Sequence, residues 1–384
     1  MPPGYIAAVT LSAFAQGVGS LYLNFYFRSL GLGDTAIGAL NAAPAIGLVA
    51  AAVPTFAFAD RFPRKYVLLF GGSLTLLATL GVIASSTLPA LLLFAAFFGS
   101  GLVVTEAAGF ALLAEATSDE SRPRIFGVSF FSAGVAFFVA NVGGGALAGP
   151  VASWLGRPEH DPQVLRSLLA IAAAVGATSA IPVLLLSSRG HARHVDVPRS
   201  WGRLARFAFV NACFGFGAGS FLPFVNLFFN ERFGFGFAAV GLALGLVNVA
   251  GGLGGLVHTR VSPRLGSVRS LTAFWTASLP FALVGAFAPS GVIAILALLG
   301  RGVLMTAAVP TMDAFTISAF AAAERSAAQA LVTTTWSLAS GAGALVSGAV
   351  RAALGPDGFT LNLLTLVGCY IVAIAFFAFS FGRR

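Results

Sequence analysis

Three ionisable side chains stand inside runs that otherwise carry no charge: Glu106 in "GSGLVVTEAAG", Arg301 in "LALLGRGVLMT" and Asp313 in "VPTMDAFT". Within a membrane span such groups are expensive and are functional candidates by default. A carboxylate there can take up and release a proton as its surroundings change, so Glu106 and Asp313 are proton-coupling candidates. Glu106 has a second reading, as a structural acid satisfied by Thr105 or a main-chain group, and Asp313 has one as a residue of the membrane interface. The guanidinium of Arg301 stays charged, so it can pair with an acid or hold the head of an anionic substrate.

A second pattern is polar but neutral. Ser12, Gln16, Ser20 and Asn24 recur every four residues in the first apolar run, with Tyr22 and Tyr26 beside them. Side chains four apart share a helix face, which in lipid must point at a cavity or at another helix. Asn211 and Asn226 stand in the same way among phenylalanines, and Thr105 neighbours Glu106. Interhelical hydrogen bonding, worth only ~0.6 kcal/mol per contact in one measured membrane protein, would explain these groups as well as a cavity wall does.

The elements that position these residues follow from the apolar runs. Only 9% of the chain is charged, far below the ~25% of soluble domains, so the bilayer is the expected solvent. Basic residues lie at the ends of apolar runs, and no basic strip interleaved with aromatics grips a phosphate backbone, so nucleic acid is excluded as a partner. Cys213 and Cys369 lie inside apolar runs and read as small buried thiols rather than a disulfide framework. The four histidines (His160, His191, His194 and His258) form no ligand spacing, and no nucleotide loop or nucleophile–base pair occurs. No enzyme, metal or cofactor is therefore expected. The first apolar run has no basic n-region or small-residue cleavage site before it and is expected to be retained as a span.

A membrane helix needs about 20 apolar residues. The charge-free intervals are 2–27, 35–59, 66–105, 125–156, 167–188, 207–230, 233–259, 270–300, 326–350 and 358–382. Two of them carry turn signals, "SSTLP" (85–89) and "APSG" (288–291), and each splits into a hairpin. Ten intervals and two splits predict twelve helices. Runs of this length without period-2 alternation exclude a β-barrel. With the N-terminus inside, sixteen basic residues fall in cytoplasmic segments against five outside, with Arg301 within a span. Both termini are thus expected in the cytoplasm and the chain in the cytoplasmic (inner) membrane. By the same count Glu106 lies ~24 Å from the outer end of helix 4, Arg301 near the midplane and Asp313 near the inner boundary.

The basic stretch 188–205 falls halfway and reads as a cytoplasmic linker between a bundle over 1–187 and another over 206–384. The halves repeat. "NFYFRSLGLGDTAIG" (24–38) matches "NLFFNERFGFGFAAVG" (226–241), and "GSGLVVT" (99–105) matches "GRGVLMT" (300–306). Six helices per half at an offset near 200 mark a duplicated transporter.

Residues 56–65, "FAFADRFPRK", place Asp60, Arg61, Arg64 and Lys65 in the loop after helix 2. This resembles the G-x-x-x-D-R-x-G-R-R/K pattern of the major facilitator superfamily, with Phe56 and Pro63 at the two glycine positions, and the likeness extends over the whole chain. The resemblance implies twelve transmembrane helices in two pseudo-symmetric bundles, with helices 1, 4, 7 and 10 around a central cavity. Gln16, Ser20, Tyr22, Asn24, Tyr26, Thr105, Asn211, Asn226 and Arg301 then become substrate-cavity candidates, and Glu106 would face Arg301 across the halves. Asp60, Arg61 and Arg64 with Arg122 and Arg124 form a candidate cytoplasmic gate. There Asp60 can meet the start of helix 11, near Arg325 and Ser326, because a carboxylate suits a helix N-terminus. Anchoring by the positive-inside effect accounts for Arg64 and Lys65 alone but gives no role to an acid. Glycines in helices 5, 8 and 11 (Gly143 to Gly145, Gly251 to Gly255, Gly341 to Gly348) suit either rocking surfaces or plain tight packing.

Some signatures of the family are missing. Residues 90–114 lack the helix 4 arginine of many proton-linked drug exporters, "ANVGGGALAG" (140–149) lacks the helix 5 proline, and the sugar-porter pattern after helix 6 is absent. The 37 phenylalanines suit a lipophilic or amphiphilic substrate better than a sugar. The expected function is proton-coupled export of such a molecule by a monomer in the bilayer. A flippase or carrier of an anionic amphiphile and an uncoupled facilitator are the alternatives.

Overall fold

Main-chain groups in hydrocarbon must satisfy one another, which an apolar segment does by becoming helix. The computed structural model describes residues 2–58, 62–116, 122–185, 200–320 and 324–382, and no strand occurs among them. Fourteen α-helices follow in order. They are α1 (Pro2–Ser29), α2 (Asp34–Phe58), α3 (Arg64–Ala84), α4 (Leu88–Ala116), α5 (Arg122–Leu155), α6 (Pro162–Ala177) and α7 (Ala180–Leu184). Then come α8 (Trp201–Phe221), α9 (Val225–Phe233), α10 (Phe237–Leu265), α11 (Ser267–Ala286), α12 (Gly291–Ala319), α13 (Arg325–Leu354) and α14 (Gly358–Phe381).

Among the described residues these helices make twelve passes, because two passes are broken. A 3-10 turn over Leu222–Phe224 divides α8 from α9, where Pro223 has no N–H to continue the ladder. A short break after Thr178, whose hydroxyl donates to the Val175 carbonyl at 2.6 Å, divides α6 from α7. Both turn signals read from the sequence divide helices: α3 ends before Ser85, and Ser290 caps α12. Helix α8 starts at Trp201, inside the stretch read as linker, most of which lies outside the described residues.

The chain divides into two compact units, Met1–Arg193 with Phe235–Gly245, and His194–Gly234 with Leu246–Arg384. In unit 1, α1 packs on α5 and α6, while α3 packs on α4 and α6. In unit 2, α8 packs on α13 and α14, while α11 packs on α12 and α14. The pairings recur in the same order, so the sequence repeat is also a repeat of packing. The closest crossings are set by glycine. A Cβ at Gly99 would overlap the Pro44 carbonyl in unit 1, and one at Gly219 would overlap the Ser340 carbonyl in unit 2. Small residues at such crossings allow the contact that drives association in lipid.

Phenylalanine serves this packing. In unit 2, Phe228 meets Phe221, Phe233 and Phe359 edge to face, and Phe377 packs on Trp275, Phe315 and Phe381. Such ring pairs contribute about 0.5–1.5 kcal/mol beyond their burial. Large apolar side chains also point outward, with Phe131, Leu77 and Phe379 all more than 60% exposed. A surface of that kind is at home in lipid and would aggregate in water.

Candidate functional site

Two helix faces and one side chain build a cavity inside unit 2. On α12, Val309, Met312, Asp313 and Thr316 stand at i, i+3, i+4 and i+7, and on α13 Gln329, Val332, Thr333 and Trp336 repeat that spacing. Each set occupies one face of its helix. Asn211 of α8 completes the wall of a cavity of about 240 Å³. Pro310 withdraws one i to i−4 hydrogen bond from the turn before Asp313.

The chemistry of this cavity is one-sided. Asp313 is exposed on it, and its lining contains no arginine, lysine or histidine. Among the described residues nothing hydrogen-bonds or ion-pairs with the Asp313 carboxylate. Asn211 donates Nδ2 to the Phe207 carbonyl at 2.9 Å, and Thr316 donates its hydroxyl to the Met312 carbonyl at 2.8 Å. These donors are partly spent within their own helices, whereas the carbonyl oxygen of Asn211 and the lone pairs of Thr316 still accept. Val309, Met312, Val332 and Trp336 supply the apolar part. No phenylalanine lines this cavity, and Phe228 and Phe377 pack among other rings within unit 2.

Asn211 and Asp313, both singled out in the sequence, are brought together here. Thr316, Gln329, Thr333 and Trp336 were not. For the last three the signal was their helical spacing in "QALVTTTW" (329–336), which also fits ordinary hydrogen bonding between helices.

The other candidates lie elsewhere. Glu106 is exposed on α4 and makes no hydrogen bond among the described residues. Its neighbour Thr105 donates to the Gly101 carbonyl at 2.8 Å and packs against Gly71 of α3, so it does not satisfy Glu106. Gln16 and Ser20 are exposed one turn apart on α1, with the Ser20 hydroxyl donating to Gly17. Asn24 is buried and accepts from Asn41 of α2 at 2.9 Å. Tyr22 and Tyr26 are wholly buried inside unit 1. Tyr22 donates to the Gly144 carbonyl at 2.6 Å. Tyr26 donates to the Ser85 carbonyl at 2.9 Å and accepts from Arg166 Nε at 3.0 Å.

In unit 2, Arg301 is 6% exposed, donates to the Tyr370 hydroxyl at 2.8 Å and lies 5.3 Å from that ring centre. Asn226 is buried at the start of α9, where its Oδ1 accepts from the Leu227 N–H. Asp60 and Arg61 lie outside the described residues, as do the side chains of Arg122, Arg124 and Arg325. Arg64 opens α3 and is buried. At the start of α13 it is Glu324, 7% exposed, that accepts from a side chain, the Ser200 hydroxyl at 2.8 Å.

Two further polar features were not anticipated. His258 Nδ1 lies 2.9 Å from Thr311 Oγ1 and 3.0 Å from Ser262 Oγ, a knot between α10 and α12. At the turn between α5 and α6, a shallow hollow of about 480 Å³ is lined by Gly149, Ser153, Arg157 and Glu159. There Asp161 caps α6. The Gln163 N–H and the Arg157 guanidinium, at 2.7 and 3.0 Å, hold its carboxyl below the usual aspartate range. Among the described residues, no three His, Cys, Asp or Glu side chains converge as metal ligands would.

With this geometry in hand, the family model described as Major Facilitator Superfamily matches residues 5–344. Among solved structures, a bacterial homolog of the human lysosomal transporter Spinster, inward-facing and occupied, superposes with a TM-score of 0.80. It is 15% identical, over 100% of this chain and 96% of that one. The nucleoside transporter NupG gives 0.72 at 18% identity, over 100% and 99%. The E. coli fucose:proton symporter FucP gives 0.66 at 17% identity, over 98% of both chains. No curated protein matches the sequence. Identities this low carry the fold and leave the substrate to be argued from the site.

Proposed function

The chain belongs to the Major Facilitator Superfamily, and from that premise we propose that it is a secondary active transporter working by alternating access as a proton-coupled exporter of lipophilic or amphiphilic small molecules. It is an integral membrane transporter. The observation that carries the finer reading is the unit 2 cavity, in which one unpartnered acid meets an apolar wall. Asp313 and Glu106 are both exposed acids on membrane helices without a cation beside them among the described residues. Such an acid can hold a proton in one environment and release it in another. A fucose:proton symporter on the same fold is a precedent for that use of a proton.

Arg301, wedged against Tyr370, belongs to the packing of its unit, which argues against its holding an anionic head group. The excess of basic residues in the segments read as cytoplasmic supports both termini inside and a place in the inner membrane. The protein is expected to act as a monomer.

Reconstitution into liposomes with an imposed pH gradient, using a panel of dyes, lysolipids and organic anions, tests this. Lipophilic compounds should accumulate only when the gradient is present. Glu106→Gln should abolish the gradient-driven part while leaving binding in place. Transport equally fast without the gradient would make the protein an uncoupled facilitator. A preference for organic anions would make it a carrier of anionic amphiphiles.

A further inference from the structure

We infer that the cavity between α8, α12 and α13 selects a protonated amine: its ligand is an amphiphile whose ammonium head donates hydrogen bonds to the Asp313 side of the cavity. This rests on the reading of that cavity as the substrate site and names the chemistry it accepts.

Charge is the first argument. The lining holds one acid and no base, so an anionic head would meet only repulsion from Asp313, while a cation would supply its missing partner. Beside apolar walls that difference is larger than it would be in open solvent.

Hydrogen-bond inventory is the second. An ionised carboxylate only accepts, and the Asn211 amide and Thr316 hydroxyl each spend a proton on their own helix. Gln329 and Thr333 can turn either way. Acceptors therefore outnumber free donors, and a ligand that donates in several directions fits. A primary ammonium has three N–H groups to give, a quaternary ammonium has none, and an alcohol has one.

Shape is the third. Trp336 is 41% exposed on the same helix face as Gln329 and Thr333. An indole is the ring that best attracts a cation held over its face. The volume, about 240 Å³, falls below the ~300–1,000 Å³ of sites that enclose a drug-sized ligand. It suits a head group and the start of an apolar tail along Val309, Met312 and Val332.

The depth agrees with that division. Asp313 lies six residues before the end of α12, and Gln329 lies four residues into α13, so about 6–9 Å of helix separates each from its end. A charged head can sit there without crossing to the middle of the hydrocarbon, while its tail remains among apolar side chains.

The test is binding to the purified full chain, with four ligands that share one phenylbutyl tail. These are 4-phenylbutylamine, its trimethylammonium analogue, 4-phenylbutanol and 4-phenylbutyrate. The amine should bind at least tenfold tighter than the alcohol, the quaternary ion should fall between them, and the carboxylate should be weakest. Asp313→Asn should bring the amine down to the level of the alcohol, and an unchanged melting temperature of the variant shows that it is folded. Trp336→Phe should weaken both cations severalfold and the alcohol little. Carboxylate binding as tight as the amine, or an amine affinity untouched by Asp313→Asn, would overturn the inference. So would a quaternary ion that binds as well as the amine. The readout needs no transport. Amine binding that depends on Asp313 without gradient-driven transport would therefore sink the coupled-exporter reading alone, and the converse would sink this inference alone.

Discussion

Three buried polar side chains of unit 1 serve as ties between helices. Tyr22 reaches Gly144, Tyr26 joins Ser85 to Arg166, and Asn24 meets Asn41, so each ties one helix to a neighbour. Unit 2 divides the same kinds of residue between two tasks. Arg351 pairs with Glu231 at 2.7 Å between Phe224 and Phe359, Asn362 donates to Ser347 at 2.7 Å, and Arg301 holds Tyr370. Asp313, with Gln329 and Thr333 near it, is left facing a cavity. A polar residue in an apolar helix is thus no guide to function by itself. What separates the two tasks is whether the protein supplies the partner.

That contrast can be broken by substitution. The largest loss is expected where a partner is removed from a fully buried charge. Glu231→Gln removes the carboxylate paired with the Arg351 guanidinium, which has no exposed side-chain surface, and should cost about 3–5 kcal/mol. Unfolding of the purified protein by denaturant measures it, and a loss under ~1 kcal/mol would show that other groups already carry the charge. Tyr26→Phe should come next, at about 1–3 kcal/mol, because it leaves Arg166 and a carbonyl without the shared hydroxyl. Amine affinity should stay where it was; a fall would mean that unit 1 reaches the binding site.

Asp161→Ala tests a smaller effect at the surface. The folded protein holds this carboxyl below its ordinary value. Its contribution should therefore be present above the ordinary aspartate pKa and fade as pH falls through the lowered one. The melting temperatures of wild type and variant should differ at pH 7, begin to converge as pH falls past 3.8, the ordinary aspartate value, and meet only below the lowered one. A difference that persists in acid would assign the effect to the helix cap rather than to the charge. Smallest of all should be the change in stability from Asp313→Asn, within ~0.5 kcal/mol, despite its effect on binding. A large loss of stability there would return Asp313 to the structural class and erase the contrast.

Much of the fold was legible because a span is a local property. Twenty apolar residues need internal hydrogen bonds wherever they sit, so the passes and the turns at 85–89 and 288–291 could be read directly. Breaks were less visible. Pro223 interrupts the seventh pass, whereas Pro44, Pro150 and Pro310 lie inside unbroken helices. The site was legible in part. Asp313 stood out by its charge and Asn211 by its setting, but Gln329, Thr333 and Trp336 resemble residues that any helix pair might use. Tyr22 and Tyr26 looked alike from the sequence, beside the polar ladder, and each bonds a main-chain carbonyl of another segment.

By itself the sequence determined the solvent, the helices, the repeat and the family, since each follows from composition or from residues near one another in the chain. Only the tertiary structure decided which polar side chains are satisfied. The partner of a buried group comes from another helix, 122 residues away for Tyr22 and 120 for Arg351. No local pattern records whether that partner exists. Arg351 is buried beside Glu231, whereas Asp313 is exposed on a cavity.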